Sequence, residues 1–500
     1  MDYQDNEHIS EQVLQMNLLK GLVDNFRWIG LIGGPLFAIF IYFLVPETFN
    51  GLDNTPVTIG HAGKLTAALA CWMSIWWLGE SIPIYATALL PLAVLPVGGA
   101  RTMKETALGY AHPLIFLFIG GFMLALALER WQLHKRFALM VLRVIGTSPA
   151  KLVGGFMFVC ATMSMWITNT ATTLVMLPIA LSIISIYEKQ FPDKKNLALC
   201  LLLGIAYSAS IGGVGTIVGT VPNIFAVSFL ESELDIQISF LQWMKIGIPI
   251  VVLFIPIVWL VLTRFVYPLD NEEIDDRVLD TKPDPWNAGS CLTLMVFFLC
   301  AFCWMFRPLL IKTEALEHLS DGGIAISAAL LLFIIPSNIK KKEFLIDWET
   351  AVRIPWGIII LLGGGISLAT AISGNGVSEL LASYLNGMQG VHPLLMSLAV
   401  VTFIIFLTEL TSNTATTTAL VPMLAAMAVG LGIAPITIII PATIAASCAF
   451  MLPVATPPNA IVFGSGLIRI PQMAKAGIWL NIIGIFLITI TSHFLLDWLA

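Results

Sequence analysis

Two polar, uncharged runs interrupt the most apolar parts of this sequence. Trp166-Ile-Thr-Asn-Thr-Ala-Thr-Thr173 sets Thr168, Asn169, Thr170, Thr172 and Thr173 between apolar stretches at 152–167 and 174–186. The run returns as Thr411-Ser-Asn-Thr-Ala-Thr-Thr-Thr418, with Asn169 and Asn413 standing 244 residues apart. Short hydroxyls and amides offer two kinds of chemistry. As donors, Thr168, Thr170, Ser412, Thr414, Asn169 and Asn413 suit a carboxylate, phosphate or sulfate, helped by the free N–H groups and positive dipole end of a helix that starts at each run. As acceptors, their oxygens suit a hard cation such as sodium. Neither run has a Lys or Arg beside it. A divalent anion held there needs its charge offset by bound cations, which is a physical reason to expect coupling between the two.

A single run of this kind is more often glue, because Ser and Thr in membrane helices bond to their own backbone or pack between helices. The repetition changes that balance. Each run is followed by an interrupted apolar segment: Ser210-Ile-Gly-Gly-Val-Gly-Thr-Ile-Val-Gly-Thr-Val-Pro-Asn223 in the first half, and Met451-Leu-Pro-Val-Ala-Thr-Pro-Pro-Asn459 in the second. Glycine and proline prevent regular helix there. At membrane depth, such backbone must be buried in protein or line a wet cavity.

The positioning elements follow from hydropathy. The chain is 58% hydrophobic and 11% charged, with mean hydropathy +0.90, against about a quarter charged in soluble domains. The pattern predicts an all-α polytopic membrane protein. Spans are expected near 28–45, 62–79, 82–98 and 113–130, then a hairpin at 150–187, a broken span at 197–230 and a span at 245–265. An acidic, proline-bearing linker at 267–288 leads to spans at 289–306, at 322–336 and after Pro355. A second hairpin at 394–430, a broken span at 435–466 and a last span at 476–497 complete the chain. That makes eleven spans and two re-entrant hairpins. Gly120-Gly121 matches Gly363-Gly364, and five spans separate equivalent points, so the repeat is inverted, as in secondary transporters.

Charge placement orients the chain. With residues 1–27 cytoplasmic, Lys135-Arg136, Lys194-Lys195, Lys340-Lys341-Lys342, Arg469 and Lys475 all fall inside; Arg101, Lys104, Arg307 and Lys312 fall outside. Residues 354–468 contain no Lys or Arg. The C-terminus is then external. Residues 1–27 lack the positive n-region of a signal peptide, and Leu14, Leu18 and Leu19 suggest a short amphipathic helix. Seven cysteines exclude a complete disulfide framework. Cys300 and Cys303 form a CxxC with no second ligand pair, which reads as buried thiols. Trp76, Trp77, Trp243 and Trp304 read as interface or packing aromatics. Glu409, just before the second run, is open between a proton or cation site and a paired structural role; Met165 holds its place in the first half. Glu80 and Glu129 read as interfacial. No nucleotide-binding loop argues for a primary pump, and nothing calls for a nucleic-acid partner or an organic cofactor.

On the paired Asn-Thr tips and Pro-Asn breaks, the chain resembles the divalent anion/sodium symporter family, which carries dicarboxylates, citrate or sulfate. The resemblance covers essentially everything after residue 28. It implies sodium as coupling ion, with a first site at Ser164, Thr168, Asn169 and the carbonyl of Gly219. A second site would use Thr408, Thr411, Asn413 and the carbonyl of Ala455. Family members often have Ala at the position of Thr411, so only its backbone carbonyl is implied. The anion would contact Asn169, Thr170, Thr220, Ser412, Asn413, Thr414, Thr456 and Pro457. Thr168 stands where the family usually has Ser; the hydroxyl stays and the methyl narrows the site. The resemblance also implies a homodimer in an inner (plasma) membrane and an elevator motion. The scaffold would be 28–145 (repeat 1 beginning near 62) and 289–385, and the transport domain 150–266 and 386–500, with 267–288 a cytoplasmic linker. The expected function is sodium-coupled import of a C4-dicarboxylate such as succinate. A sodium-independent dicarboxylate exchanger and a sulfate symporter stay open beside it. A channel or an intramembrane enzyme is disfavoured, because the spans hold no nucleophile–base or metal set.

Overall fold

A computed structural model describes residues 27–50, 56–146, 148–192, 194–270, 285–385 and 392–496. The first half contains α1 (Arg27–Leu44), α2 (His61–Leu78), α3 (Ile84–Thr87), α4 (Leu90–Val97), α5 (Met103–Leu108), α6 (Pro113–Arg130), α7 (Leu133–Ile145), α8 (Pro149–Ser164), α9 (Asn169–Gln190), α10 (Asn196–Gly213), α11 (Val221–Leu234) and α12 (Phe240–Leu260). The second half contains α13 (Ala288–Leu310), α14 (Asp321–Ile334), α15 (Trp348–Ala351), α16 (Trp356–Gly374), α17 (Val377–Leu385), α18 (Pro393–Thr408), α19 (Asn413–Gly430), α20 (Ile436–Ala446), α21 (Pro457–Phe463) and α22 (Ile470–Leu496). Two short antiparallel ribbons join them: β1 (Thr48–Asn50) with β2 (Pro56–Thr58), and β3 (Pro336–Asn338) with β4 (Glu343–Phe344).

Among the described residues, eight helices are long and apolar enough to cross a membrane: 27–44, 103–130, 169–190, 196–213, 240–266, 288–310, 356–374 and 470–496. The length criterion therefore yields fewer than the eleven predicted spans. Two of the missing spans are built from shorter pieces, that at 322–336 is a single helix of 14 residues, and α2, unbroken over 18 residues, is less apolar than the rest. The span at 82–98 divides into α3 and α4 around Ala88-Leu89. The two broken spans divide into α10 with α11 and α20 with α21, as their Gly and Pro content requires. Among the described residues α5, α7, α15 and α17 were not expected; α5 and α15 are of six and four residues. α7 and α17 are short and amphipathic, and so lack the long apolar run that marks a span. The predicted N-terminal amphipathic helix and most of the 267–288 linker lie outside the described residues. All seven cysteines are free thiols, and Trp76, Trp77, Trp243 and Trp304 are buried, which settles those tryptophans as packing residues.

The matched glycine pairs have one physical purpose. A Cβ at Gly120 would fall 2.4 Å from the Ala325 carbonyl carbon on α14, and one at Gly364 would fall 2.1 Å from Ala88 O. Where helices touch backbone to backbone, no side chain fits between them.

The breaks are held by one side chain each. Asn223 Nδ2 donates to Gly213 O at 3.0 Å and Thr216 O at 2.8 Å. Asn459 Nδ2 donates to Ala449 O and Leu452 O, both at 3.0 Å. These acceptors are equivalent, residue for residue, 236 positions apart. Thr220 and Thr456, which precede the new helices, share an extended conformation, with φ −148° and −150°. Remaining carbonyls are also taken up: Trp243 Nε1 donates to Val214 O at 2.9 Å, and Tyr207 OH to Phe450 O at 2.7 Å.

Two stability outcomes follow. Gly364→Val forces α16 away from Ala88, and overpacking of this kind costs about 1–3 kcal/mol; the purified variant is expected to melt several degrees below the parent in detergent, and an unchanged melt would show that the contact is not tight. Asn459→Leu leaves two buried carbonyls without a donor, at about 1–3 kcal/mol for each unsatisfied group. Its melt should fall further than that of the exposed-site control Lys341→Leu.

Candidate functional site

Each polar run begins a helix after a four-residue break in the chain. In the first half α8 ends at Ser164 and α9 starts at Asn169; in the second α18 ends at Thr408 and α19 starts at Asn413. Both asparagines are the first helical residue, and both fold back on the hydroxyl that ends the preceding helix. Ser164 Oγ lies 2.6 Å from Asn169 Oδ1, and Thr408 Oγ1 lies 2.9 Å from Asn413 Oδ1. The next turn is tied in the same way: Thr173 Oγ1 donates to Asn169 O at 2.8 Å, and Thr417 Oγ1 to Asn413 O at 2.9 Å.

The first tip shows an oxygen-rich nest. One branch of the Asn169 amide lies 2.6 Å from Ser164 Oγ, 3.2 Å from Ala209 O and 3.3 Å from Gly219 O. With its nitrogen there, the amide donates to all three. With its oxygen there, two carbonyl oxygens face it with no hydrogen between them, and a cation is the group that would satisfy all of them at once. Hard oxygen donors of this kind suit sodium. The glycines allow the approach, since a Cβ at Gly213 would fall 2.6 Å from Asn169 Oδ1 and one at Gly219 would fall 2.3 Å from Gly213 O. At the second tip Thr408 Oγ1 also reaches Ala446 O, at 2.9 Å.

The helix N-termini differ in how they are capped. Thr168 Oγ1 accepts from Ala171 N at 3.2 Å, so this hydroxyl serves the helix. Ser412, Thr220 and Thr456 cap α19, α11 and α21 without any side-chain hydrogen bond. Thr411 Oγ1 bonds Leu407 O and Thr416 Oγ1 within its own segment. That leaves its carbonyl, not its hydroxyl, for any ligand. Thr170 and Thr414 are half-buried.

Packing is exchanged between halves. α9, from the first tip, packs against α21 of the second break, and α19, from the second tip, packs against α11 of the first break. The helix that Asn169 and Thr170 begin therefore packs on α21, which Thr456 precedes and Pro457 starts, and the helix that Asn413 and Thr414 begin packs on α11, which Thr220 precedes. Asn169, Ser164 and Gly219 meet directly, as do Thr408 and Asn413. Among the described residues no hydrogen bond joins Thr168 to the Asn169 nest or Ala455 to Asn413. A cavity of about 120 Å³ lies between α11, α16, α17 and α19, and no tip residue lines it.

The sequence missed two acceptors, Ala209 O and Ala446 O. A backbone carbonyl has no residue signature; only its place near the C-terminal end of α10 or α20 could have pointed to it. The sequence also left Glu409 open, and the structure pairs it. Its carboxylate is buried, 4% exposed, and accepts from Phe450 N, Met451 N, Leu452 N and Asn481 Nδ2.

The profile of the sodium:sulfate symporter transmembrane region matches residues 35–500. A protein of Staphylococcus saprophyticus named sodium-dependent dicarboxylate transporter SdcS is 39% identical over 480 residues, which is 93% of this chain and 91% of the relative. The protein of the same name from Staphylococcus aureus strain USA300 is 39% identical over 482 residues, 94% and 91% of the two chains. Among solved structures, the YdaH transporter of Alcanivorax borkumensis superposes with TM-score 0.60 at 14% identity, covering 94% of this chain and 98% of that one. MtrF of Neisseria gonorrhoeae gives 0.58 at 12% identity, with 94% of each chain covered. These two share the fold. By profile and by relatives alike, the chain belongs to the sodium:sulfate symporter family and is a multi-pass membrane transporter, not an enzyme.

Proposed function

We propose that the protein is a sodium-coupled symporter that imports a small divalent anion, and that the anion is a C4-dicarboxylate such as succinate. The observation that carries the reading is the Asn169 nest, in which Ser164 Oγ, Ala209 O and Gly219 O converge within 3.3 Å of one amide branch. The donors are neutral oxygens, as a weakly held, exchangeable cation requires. The curated relatives, 39% identical and named for sodium and dicarboxylate, support the same ion and the same substrate class.

Sodium at the first site would be held by Ser164, Asn169 and the carbonyl of Gly219, with Ala209 O as a further ligand and Thr168 beside them. The second site would use Thr408, Asn413 and the carbonyls of Thr411 and Ala455. The anion would sit among Asn169, Thr170, Thr220, Ser412, Asn413, Thr414, Thr456 and Pro457. There the uncapped starts of α11, α19 and α21 offer N–H groups and dipole ends. Bound sodium supplies the positive charge that this lining lacks. In this reading the two tip segments are re-entrant hairpins that travel with α10–α12 and α20–α22 in an elevator motion. The remaining long helices form the scaffold of a homodimer in the plasma membrane, with the N-terminus cytoplasmic and the C-terminus external. Sulfate is the second reading, favoured by the family profile itself, since carboxylate and sulfate oxygens ask for similar contacts.

The test is uptake of radiolabelled succinate into proteoliposomes with and without an inward sodium gradient, with unlabelled citrate and sulfate as competitors. Sodium-dependent uptake blocked by succinate is expected. Uptake that ignores sodium but needs internal succinate would make the protein an exchanger, and sulfate uptake alone would move the substrate. Asn169→Ala and Asn413→Ala are each expected to lower uptake at least 100-fold while the protein elutes and melts as a folded species. Parental uptake in either variant would remove that residue from the site.

A further inference from the structure

Resting on the symport reading above, we propose that Glu409 is a positioning residue for the second cation site: its carboxylate fixes the unwound segment after α20 against the second tip and gives that half a negative charge that the first half lacks.

The two halves agree closely at the tips and breaks, so the one place where they differ is informative. In the first half the position is Met165, whose side chain packs over Gly215, where a Cβ would fall 2.9 Å from the Met165 methyl. There the tip is tied to the break by Thr216 Oγ1 donating to Met165 O. The N–H groups of Val214 and Gly215 bond within their own chain, to Ile211 O at 3.1 Å and Gly212 O at 2.9 Å. In the second half the tie runs the other way. Glu409 Oε1 accepts from Phe450 N at 2.7 Å and Asn481 Nδ2 at 2.8 Å, and Oε2 accepts from Met451 N at 2.9 Å and Leu452 N at 3.2 Å. One side chain replaces the backbone partners that the segment 450–452 has lost.

Both oxygens act only as acceptors, which is the inventory of an ionised carboxylate. No Lys or Arg pairs with it among the described residues, and residues 354–468 contain neither. Its charge is thus shared among N–H dipoles and reaches its surroundings in a medium of low dielectric. Thr408, the residue just before Glu409, bonds both Asn413 Oδ1 and Ala446 O, so the residue that ties down segment 450–452 follows directly on the one that anchors the second oxygen cluster. On the other side, Asn459 grips Ala449 O and Leu452 O. The segment that carries Ala455 and Thr456 is therefore held by Glu409 through its N–H groups and by Asn459 through its carbonyls. The second site should hold its cation more tightly than the first.

The experiment titrates sodium chloride against the melting temperature of the purified protein without substrate, with choline chloride keeping ionic strength constant, and then measures succinate uptake. For Glu409→Gln, which keeps the shape and one acceptor, the sodium concentration giving half the stabilisation is expected to rise at least fivefold. In the same variant the KM for succinate at saturating sodium stays within about twofold, a split that general loosening would not give. A shift below fivefold overturns the proposal. Should Glu409→Gln not fold, Glu409→Asp decides: it keeps the charge but is one methylene too short for the N–H groups of 450–452, so a sodium midpoint raised at least fivefold supports the positioning role and a midpoint within fivefold of the parent overturns it. A parent protein with no stabilisation by sodium and no sodium-dependent uptake would instead sink the symport reading.

Discussion

Backbone amides and carbonyls buried away from water need partners, and the functional part of this protein consists of backbone that has given up its helical ones. Everything near the tips answers that constraint. Asn223 and Asn459 supply donors to the carbonyls of the two breaks, Trp243 and Tyr207 supply two more, and Glu409 supplies acceptors to three N–H groups. Within reach of Asn169 lie Gly219 O and Ala209 O, and the starts of α11, α19 and α21 have no side-chain cap. A site made of such groups is neutral and adjustable. It can take up an ion and release it, because no single contact with the ion is strong.

The same economy explains the glycines and the short side chains. Gly213 and Gly219 let two strands of unwound backbone touch. Gly120 and Gly364 let the helices around them close up in the same manner, far from the tips in sequence. Where a bulky side chain does appear, as with Met165 over Gly215, it takes the volume that the second half gives to Glu409. Near-symmetry of shape thus coexists with asymmetry of charge.

The sequence made the repeat legible because its punctuation is chemical. Thr-Asn-Thr and Ser-Asn-Thr, Gly-Gly-Val-Gly and Pro-Pro-Asn are residues that apolar helices avoid, so each marks an interruption. Helices α8, α10 and α18 end, and α9, α11, α19 and α21 begin, within a few residues of those marks. What stayed hidden had no such mark. The clamping role of Asn223 and Asn459 depends on where carbonyls point after the chain unwinds. Ala209 O and Ala446 O are ordinary backbone. The role of Glu409 depends on partners about forty residues away in the unwound segment after α20 and seventy-two away on α22. α7 and α17 escaped because hydropathy over long windows averages away a short amphipathic turn.

The exchanged packing of α9 with α21 and α19 with α11 has a consequence for how the chain is made. Domains assemble as they are synthesised, N-terminal part first. The first tip emerges with Asn169, yet α21, which packs on the helix that Asn169 begins, starts at Pro457, almost three hundred residues later. During that interval α9 lacks this partner. The internal ties of the first half, Thr216 to Met165 and Asn223 to its carbonyls, bridge only residues already inserted. They keep the early half intact while it waits. The tie of the second half, through Glu409, is complete only when Asn481 on α22 has been made.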